Sequence, residues 1–88
     1  ISVYDNTNHE YKKNDGVIYC NSYEDLLDSN IDAVIVSTYA SAAAGYVIRA
    51  LNAGKHVFCE KPPAMNKNEM LEVIEAESNS KKVLKYGF

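Results

Sequence analysis

No apolar run in this sequence approaches the ~20 residues that a bilayer-spanning helix needs, and no basic-then-apolar leader opens the chain. The expectation is a soluble, cytoplasmic protein or a piece of one. Basic residues are in short supply, 9 against 12 acidic ones, for a net charge of −3 and a pI near 5.2. That balance argues against a general partner for nucleic acid or anionic membrane, which requires a basic patch. The seven tyrosines are scattered along the chain and form no platform for stacking bases. Cysteine is limited to Cys20 and Cys59, each at the end of an apolar run, which fits reduced, buried thiols better than a disulfide framework. No Cys/His spacing suggests zinc, and neither cysteine has a plausible base beside it in sequence. Glycine occurs four times, never as Gly-x-Gly, and the two prolines, Pro62 and Pro63, stand side by side.

What is present is ordinary globular composition, 47% apolar and 24% charged over 88 residues, enough for one modest domain. Ile1-Ser2-Val3-Tyr4-Asp5 reads as a strand that stops at an acid. Residues 6–15 are polar, a loop or short surface helix, before a second strand over Val17–Cys20. Ser22 followed by Asp25 has capping-box spacing and opens a short helix with Leu26 and Leu27 as its apolar contact. Ala33-Val34-Ile35-Val36 is continuously apolar and mostly β-branched, the pattern of a strand covered on both faces. Ser41 opens a helix with Ala43, Ala44, Val47, Ala50 and Leu51 on one face, stopped by Gly54 in the position of a left-handed cap. Asn66 with Glu69 caps a further helix to about Ser78, its buried face predicted at Met70, Leu71 and Ile74 and its glutamates mostly turned to water. A last strand runs over Val83–Phe88. Regular alternation of strand and helix means an α/β fold with a parallel sheet and helices on both faces.

The chain turns on His56-Val57-Phe58-Cys59-Glu60-Lys61-Pro62-Pro63. Apolar β-formers bounded by proline read as a short buried strand, and Pro62 disfavours helix at Lys61, so the strand ends extended. Glu60 and Lys61 then lie at the carboxyl end of a buried strand, the edge where open α/β sheets bind ligands. The residues by themselves leave two readings: an ion pair closing off a strand, or a functional pair. His56 begins the same strand at the far edge and reads as structural, and His9 lies in a polar segment where a solvated side chain is the default.

From Ile31 to Thr38, and again over Ala50-Leu51-Asn52-Ala53-Gly54-Lys55-His56-Val57-Phe58-Cys59-Glu60-Lys61-Pro62, the sequence resembles the Gfo/Idh/MocA family, relatives of glucose–fructose oxidoreductase and inositol dehydrogenase. The likeness runs over essentially all 88 residues and includes the closing Gly87-Phe88. It implies that 1–88 is a partial NAD(P)-binding Rossmann domain, part of a doubly wound parallel sheet. The first strand, the Gly-rich turn, the first helix and the C-terminal domain with its Asp-x-x-x-His pair are then absent. In the Rossmann order 3-2-1-4-5-6 the first strand sits between the second and fourth. Without it, the strands at 1–4 and 17–20 are expected not to join one continuous sheet with 33–38.

The resemblance also implies roles. Asp5 becomes an acceptor for the adenosine ribose hydroxyls, favouring NAD over NADP, with Asn6 in the same pocket; without the family, Asp5 reads as a turn aspartate. Ser37 and Thr38 meet the pyrophosphate or nicotinamide ribose. Glu60 reaches the nicotinamide ribose. Lys61 lies by the nicotinamide and the reacting carbon, either as the catalytic proton donor and acceptor or as a charge that positions substrate. Where relatives often carry Pro-Asn and then His, this chain has Tyr39, Ala40 and Ala43, which removes polar contacts from the nicotinamide side. Tyr39 packs on the cofactor or is plain packing.

Two functions follow as expectations. One is an NAD(P)-dependent oxidoreductase moving hydride to or from a sugar, inositol or related polyol, in a homo-oligomeric parent. A minority of the family use bound NAD transiently to hydrolyse glycosides. The other is a non-catalytic dinucleotide-binding or redox-sensing module, which fold by itself leaves open. Lys61 beside Glu60 favours the enzyme, because binding the dinucleotide needs no lysine there. The 88 residues by themselves are expected to be inactive and at best feeble in NAD binding, lacking the phosphate-cradling turn.

Overall fold

The computed structural model describes residues 2–4, 18–61 and 64–87. Asp5, Asn6 and the rest of the polar 6–15 segment, together with Pro62, Pro63 and Phe88, lie outside the described residues. The chain divides into two units, Ile1–Ile31 and Asp32–Phe88.

The first unit holds β1 (Ser2–Val3), β2 (Ile18–Tyr19) and α1 (Tyr23–Asp28). The two strands pair in parallel, Ser2 with Ile18 and Val3 with Tyr19. Ser22 caps α1 as its spacing predicts, its Oγ accepting the Asp25 N–H at 3.1 Å. Tyr23 and Leu26 are the buried residues of α1. The Tyr23 ring packs on that of Tyr4, centroids 6.2 Å apart and tilted by 36°.

The second unit runs β3 (Ala33–Val36), α2 (Ala40–Asn52), β4 (His56–Glu60), α3 (Lys67–Ser80), β5 (Leu84–Gly87). Its three strands form one parallel sheet in the order β3-β4-β5. The ladder pairs Val34 with Val57 and Val36 with Cys59, then Val57 with Leu84, Cys59 with Tyr86 and Glu60 with Gly87. Among the described residues β1 and β2 form a separate two-stranded sheet.

Two right-handed crossovers that step the same way across a sheet place their helices on the same face. Accordingly α2 packs against α3 and against β3 and β4. The core is Val34, Val36, Val57 and Cys59 from the strands with Ala43, Ala44, Val47, Ala50 and Leu51 from α2 and Val73 and Ala76 from α3. The α2 face is the one its sequence spacing predicts. Its end is a full Schellman motif: Gly54 takes φ 81°, its N–H donates to the Leu51 carbonyl, and the Lys55 N–H reaches back to that of Ala50. Only glycine adopts that φ without strain.

Two expectations fail. Although β3 reads as covered on both faces, Ile35 is 70% exposed, because both helices of this unit lie on the face of Val34 and Val36. In α3 the buried stripe is Val73 and Ala76, while Leu71 and Ile74 are 53% and 51% exposed. Met70, Leu71 and Ile74 satisfy helical spacing, but so do Met70, Val73 and Ala76. The smaller side chains turn inward, where α3 meets an alanine-rich helix. Glu72 and Glu75 face water as predicted; Glu69 and Glu77 are half-buried.

Candidate functional site

All strands of a parallel sheet end on one edge, so β3, β4 and β5 deliver Ser37-Thr38, Glu60-Lys61 and Gly87 together. Val36 pairs with Cys59, and therefore Ser37 and Glu60 leave their strands at the same level. Ser37 and Lys61 are exposed, while Thr38 and Glu60 are half-buried. Four of the six predicted site residues thus share one edge. Asp5 and Asn6 lie outside the described residues.

The start of α2 faces the same edge. Tyr39 occupies the cap position in extended conformation and gives no side-chain cap. By contrast, Asn66 caps α3 by accepting the Glu69 N–H at 2.9 Å, and Glu69 Oε1 accepts the Met65 N–H at 2.7 Å. The first turn of α2 therefore keeps backbone donors and the positive end of its dipole for a ligand at the sheet edge. Tyr39 is 71% exposed there. Ala43 is buried, so that position is used for packing.

Below the edge the chemistry is apolar. The Cys59 thiol is buried and donates to the Glu60 carbonyl at 3.2 Å. Burial, and then the Glu60 carboxylate, push its pKa up. It stays a protonated thiol beside the site, an inert packing group rather than a nucleophile. Tyr86, paired with Cys59 across the ladder, carries a buried hydroxyl with no hydrogen-bond partner among the described residues. Burial first, then Cys59 and Glu77, push its pKa up to about 12. Nothing in the sequence signals this, since Tyr86 reads there as an ordinary strand former. At the opposite edge His56 Nδ1 accepts the Val83 N–H at 3.0 Å, the structural role its position suggests.

The donor set suits the nicotinamide half of a dinucleotide. A half-buried carboxylate can accept from ribose hydroxyls, two hydroxyl side chains and a helix start can meet phosphate oxygens, and an exposed ammonium follows the carboxylate in the chain. A metal is a poorer fit, since no group of three or more His, Cys, Asp or Glu gathers among the described residues. No helix of the described residues is long and apolar enough to cross a membrane.

Comparison with known proteins points the same way. The profile of a family described as oxidoreductases with an NAD-binding Rossmann fold matches residues 1–88. The inositol 2-dehydrogenase of Salmonella typhimurium is 43% identical over 70 residues, covering 77% of this chain and 21% of that protein. Among solved structures, myo-inositol 2-dehydrogenase from Lactobacillus plantarum superposes with a TM-score of 0.74 at 30% identity, over 80% of this chain and 21% of that one. Biliverdin reductase from Synechocystis, solved with biliverdin and NADP+, gives 0.75 at 29% identity, over 81% and 23%. The chain spans about a fifth of the length of the curated relatives it matches.

Proposed function

The chain belongs to the Gfo/Idh/MocA oxidoreductases, and from that premise we propose that residues 1–88 are part of the Rossmann domain of an NAD-dependent dehydrogenase of an inositol-like polyol. The observation that carries the proposal is the convergence of Ser37, Thr38, Glu60 and Lys61 on one sheet edge beside an uncapped helix start. The names of several relatives, inositol dehydrogenases, favour a cyclic polyol over an open-chain sugar.

A bound nicotinamide dinucleotide supplies the hydride carrier. Glu60 would accept hydrogen bonds from the nicotinamide ribose hydroxyls. Ser37, Thr38 and the first turn of α2 meet the phosphate side of that ribose. Tyr39, exposed at the cap position of α2, would pack on the carrier. Lys61 donates to the substrate oxygen through Nζ; in the oxidative direction its neutral form takes the hydroxyl proton, and in the reductive direction its charged form returns it. Asp5 and Asn6 hold the adenosine ribose. A carboxylate at Asp5 repels a 2′-phosphate, the reason to favour NAD although one structural neighbour was solved with NADP+. The cytoplasm and a homo-oligomeric assembly complete the reading.

The test is the full-length protein assayed with NAD+ and NADP+ against myo-inositol, other inositols and aldoses. Lys61→Ala should lower kcat by about a hundredfold or more while the NAD+ dissociation constant changes by less than about threefold. Unchanged turnover removes Lys61 from the chemistry. Dinucleotide binding without turnover on any polyol or sugar favours the redox-sensing module instead.

A further inference from the structure

Val83 is held at both of its backbone groups by consecutive residues of β4. Its carbonyl accepts the Val57 N–H at 2.9 Å, and its own N–H donates to His56 Nδ1 at 3.0 Å. The ladder pairs Val57 with Leu84, so the next rung of a regular parallel sheet would run from the Val83 N–H to the Lys55 carbonyl. The imidazole replaces that rung where Lys55 has already turned away to close the Schellman motif of α2.

The incoming strand needs such a clamp. β5 has only four residues and leaves α3 through Lys81, which takes a left-handed φ of 58°. A short ladder specifies its register weakly, and a slip of one residue exchanges the two faces. Here a slip would put Lys85 beneath the helices in place of Tyr86. It would also remove Gly87 from opposite Glu60. A Cβ at Gly87 would lie 3.1 Å from Phe58 Cζ, so a larger residue there would have to push the Phe58 ring aside by a few tenths of an ångström.

We propose that His56 is a positioning residue, whose Nδ1 clamps Val83 and holds β5 in the one register that lays Gly87 opposite Glu60. Its consequence for cofactor binding rests on the reading of Glu60 given above. A backbone N–H only donates, so the clamp requires Nδ1 unprotonated. An imidazolium has donors at both nitrogens and releases Val83. On its other side the His56 backbone N–H donates to the Asp32 carbonyl at 3.0 Å, so this one residue is bonded toward both neighbouring strands.

The experiment is amide exchange at Val83 and Gly87 in the isotope-labelled full-length protein, comparing wild type with His56→Leu and His56→Asn. Asparagine keeps an acceptor but gains no proton. Val83 protection, corrected for intrinsic exchange, should be about fivefold to tenfold higher in wild type than in His56→Leu. His56→Asn should hold Val83, and His56→Leu should lose protection at both Val83 and Gly87 and bind NADH several-fold more weakly. Val83 protection in the leucine variant equal to that of wild type overturns the proposal. So does a leucine variant that retains Gly87 protection or wild-type NADH affinity. If the wild type binds no dinucleotide, the functional reading fails instead, and the clamp is judged on Val83 and Gly87 exchange.

Discussion

The two units use the same vocabulary of short strands and capped helices, yet rest on different reserves. In the first, two strands of two residues and a helix of six depend on local devices: the Ser22 cap and the Tyr4–Tyr23 ring contact. In the second, helices of 13 and 14 residues close over a sheet with Val47, Leu51, Cys59 and Val73 almost wholly sealed from solvent. Helices shorter than ~12 residues are marginal without packing. The site residues that the structure brings together all stand on the unit with the deeper core, and a carboxylate and an ammonium can be aimed only from a frame that does not move.

The sharpest way to break that contrast is Leu51→Ala. Leu51 is 1% exposed in α2, and truncation of a sealed leucine costs about 2–5 kcal/mol. Urea unfolding followed by residue-resolved exchange should show that loss at Val34, Val57 and Val73, with exchange at Leu26 in α1 unchanged. An equal loss at Leu26 would merge the two units energetically.

Cap removal sharpens the comparison at a smaller scale. Ser22→Ala and Asn66→Ala each delete one side-chain acceptor at a helix start, a cost of about 1 kcal/mol. The same loss should have unequal results: α1 loses amide protection along its whole length, while α3 frays only at its first turn because Val73 and Ala76 hold it. Similar behaviour of the two helices would contradict the account.

The smallest effect at neutral pH belongs to Tyr86. Its folded pKa is raised from 10.0 to about 12, so the folded state disfavours the phenolate. The stability associated with the neutral hydroxyl is fully present below pH 10 and is lost as pH rises toward about 12. Tyr86→Phe removes a buried hydroxyl that lacks a partner. It should leave neutral-pH stability equal or slightly higher and flatten the alkaline decline. A decline identical to wild type would place its origin elsewhere.

Legibility in the sequence follows the same division. In α2 and β4 several signals agree: apolar spacing, the Gly54 stop and an apolar run of β-formers bounded by proline all point to the elements observed. The α3 face was not legible because two apolar stripes share Met70, and choosing between them requires knowing how closely α2 lets a neighbour approach. The bare side of β3 escaped a residue-by-residue reading, since an apolar run reports what a strand can tolerate on both faces and not what covers it. The Glu60–Lys61 edge was legible because proline forces a strand to end where it does. The His56 contact joins residues 27 apart and depends on ladder register, which no local pattern encodes.

The most direct measurement of the central claim, that the carboxyl edge of the three-stranded sheet is the dinucleotide edge, is hydrogen exchange of the full-length protein with and without NADH. The account predicts protection in segments 37–43 and 59–61, with segments 30–33 and 81–84 at the opposite edge unchanged. Protection confined to the opposite edge, or none at 37–43 and 59–61 under saturating NADH, would contradict it.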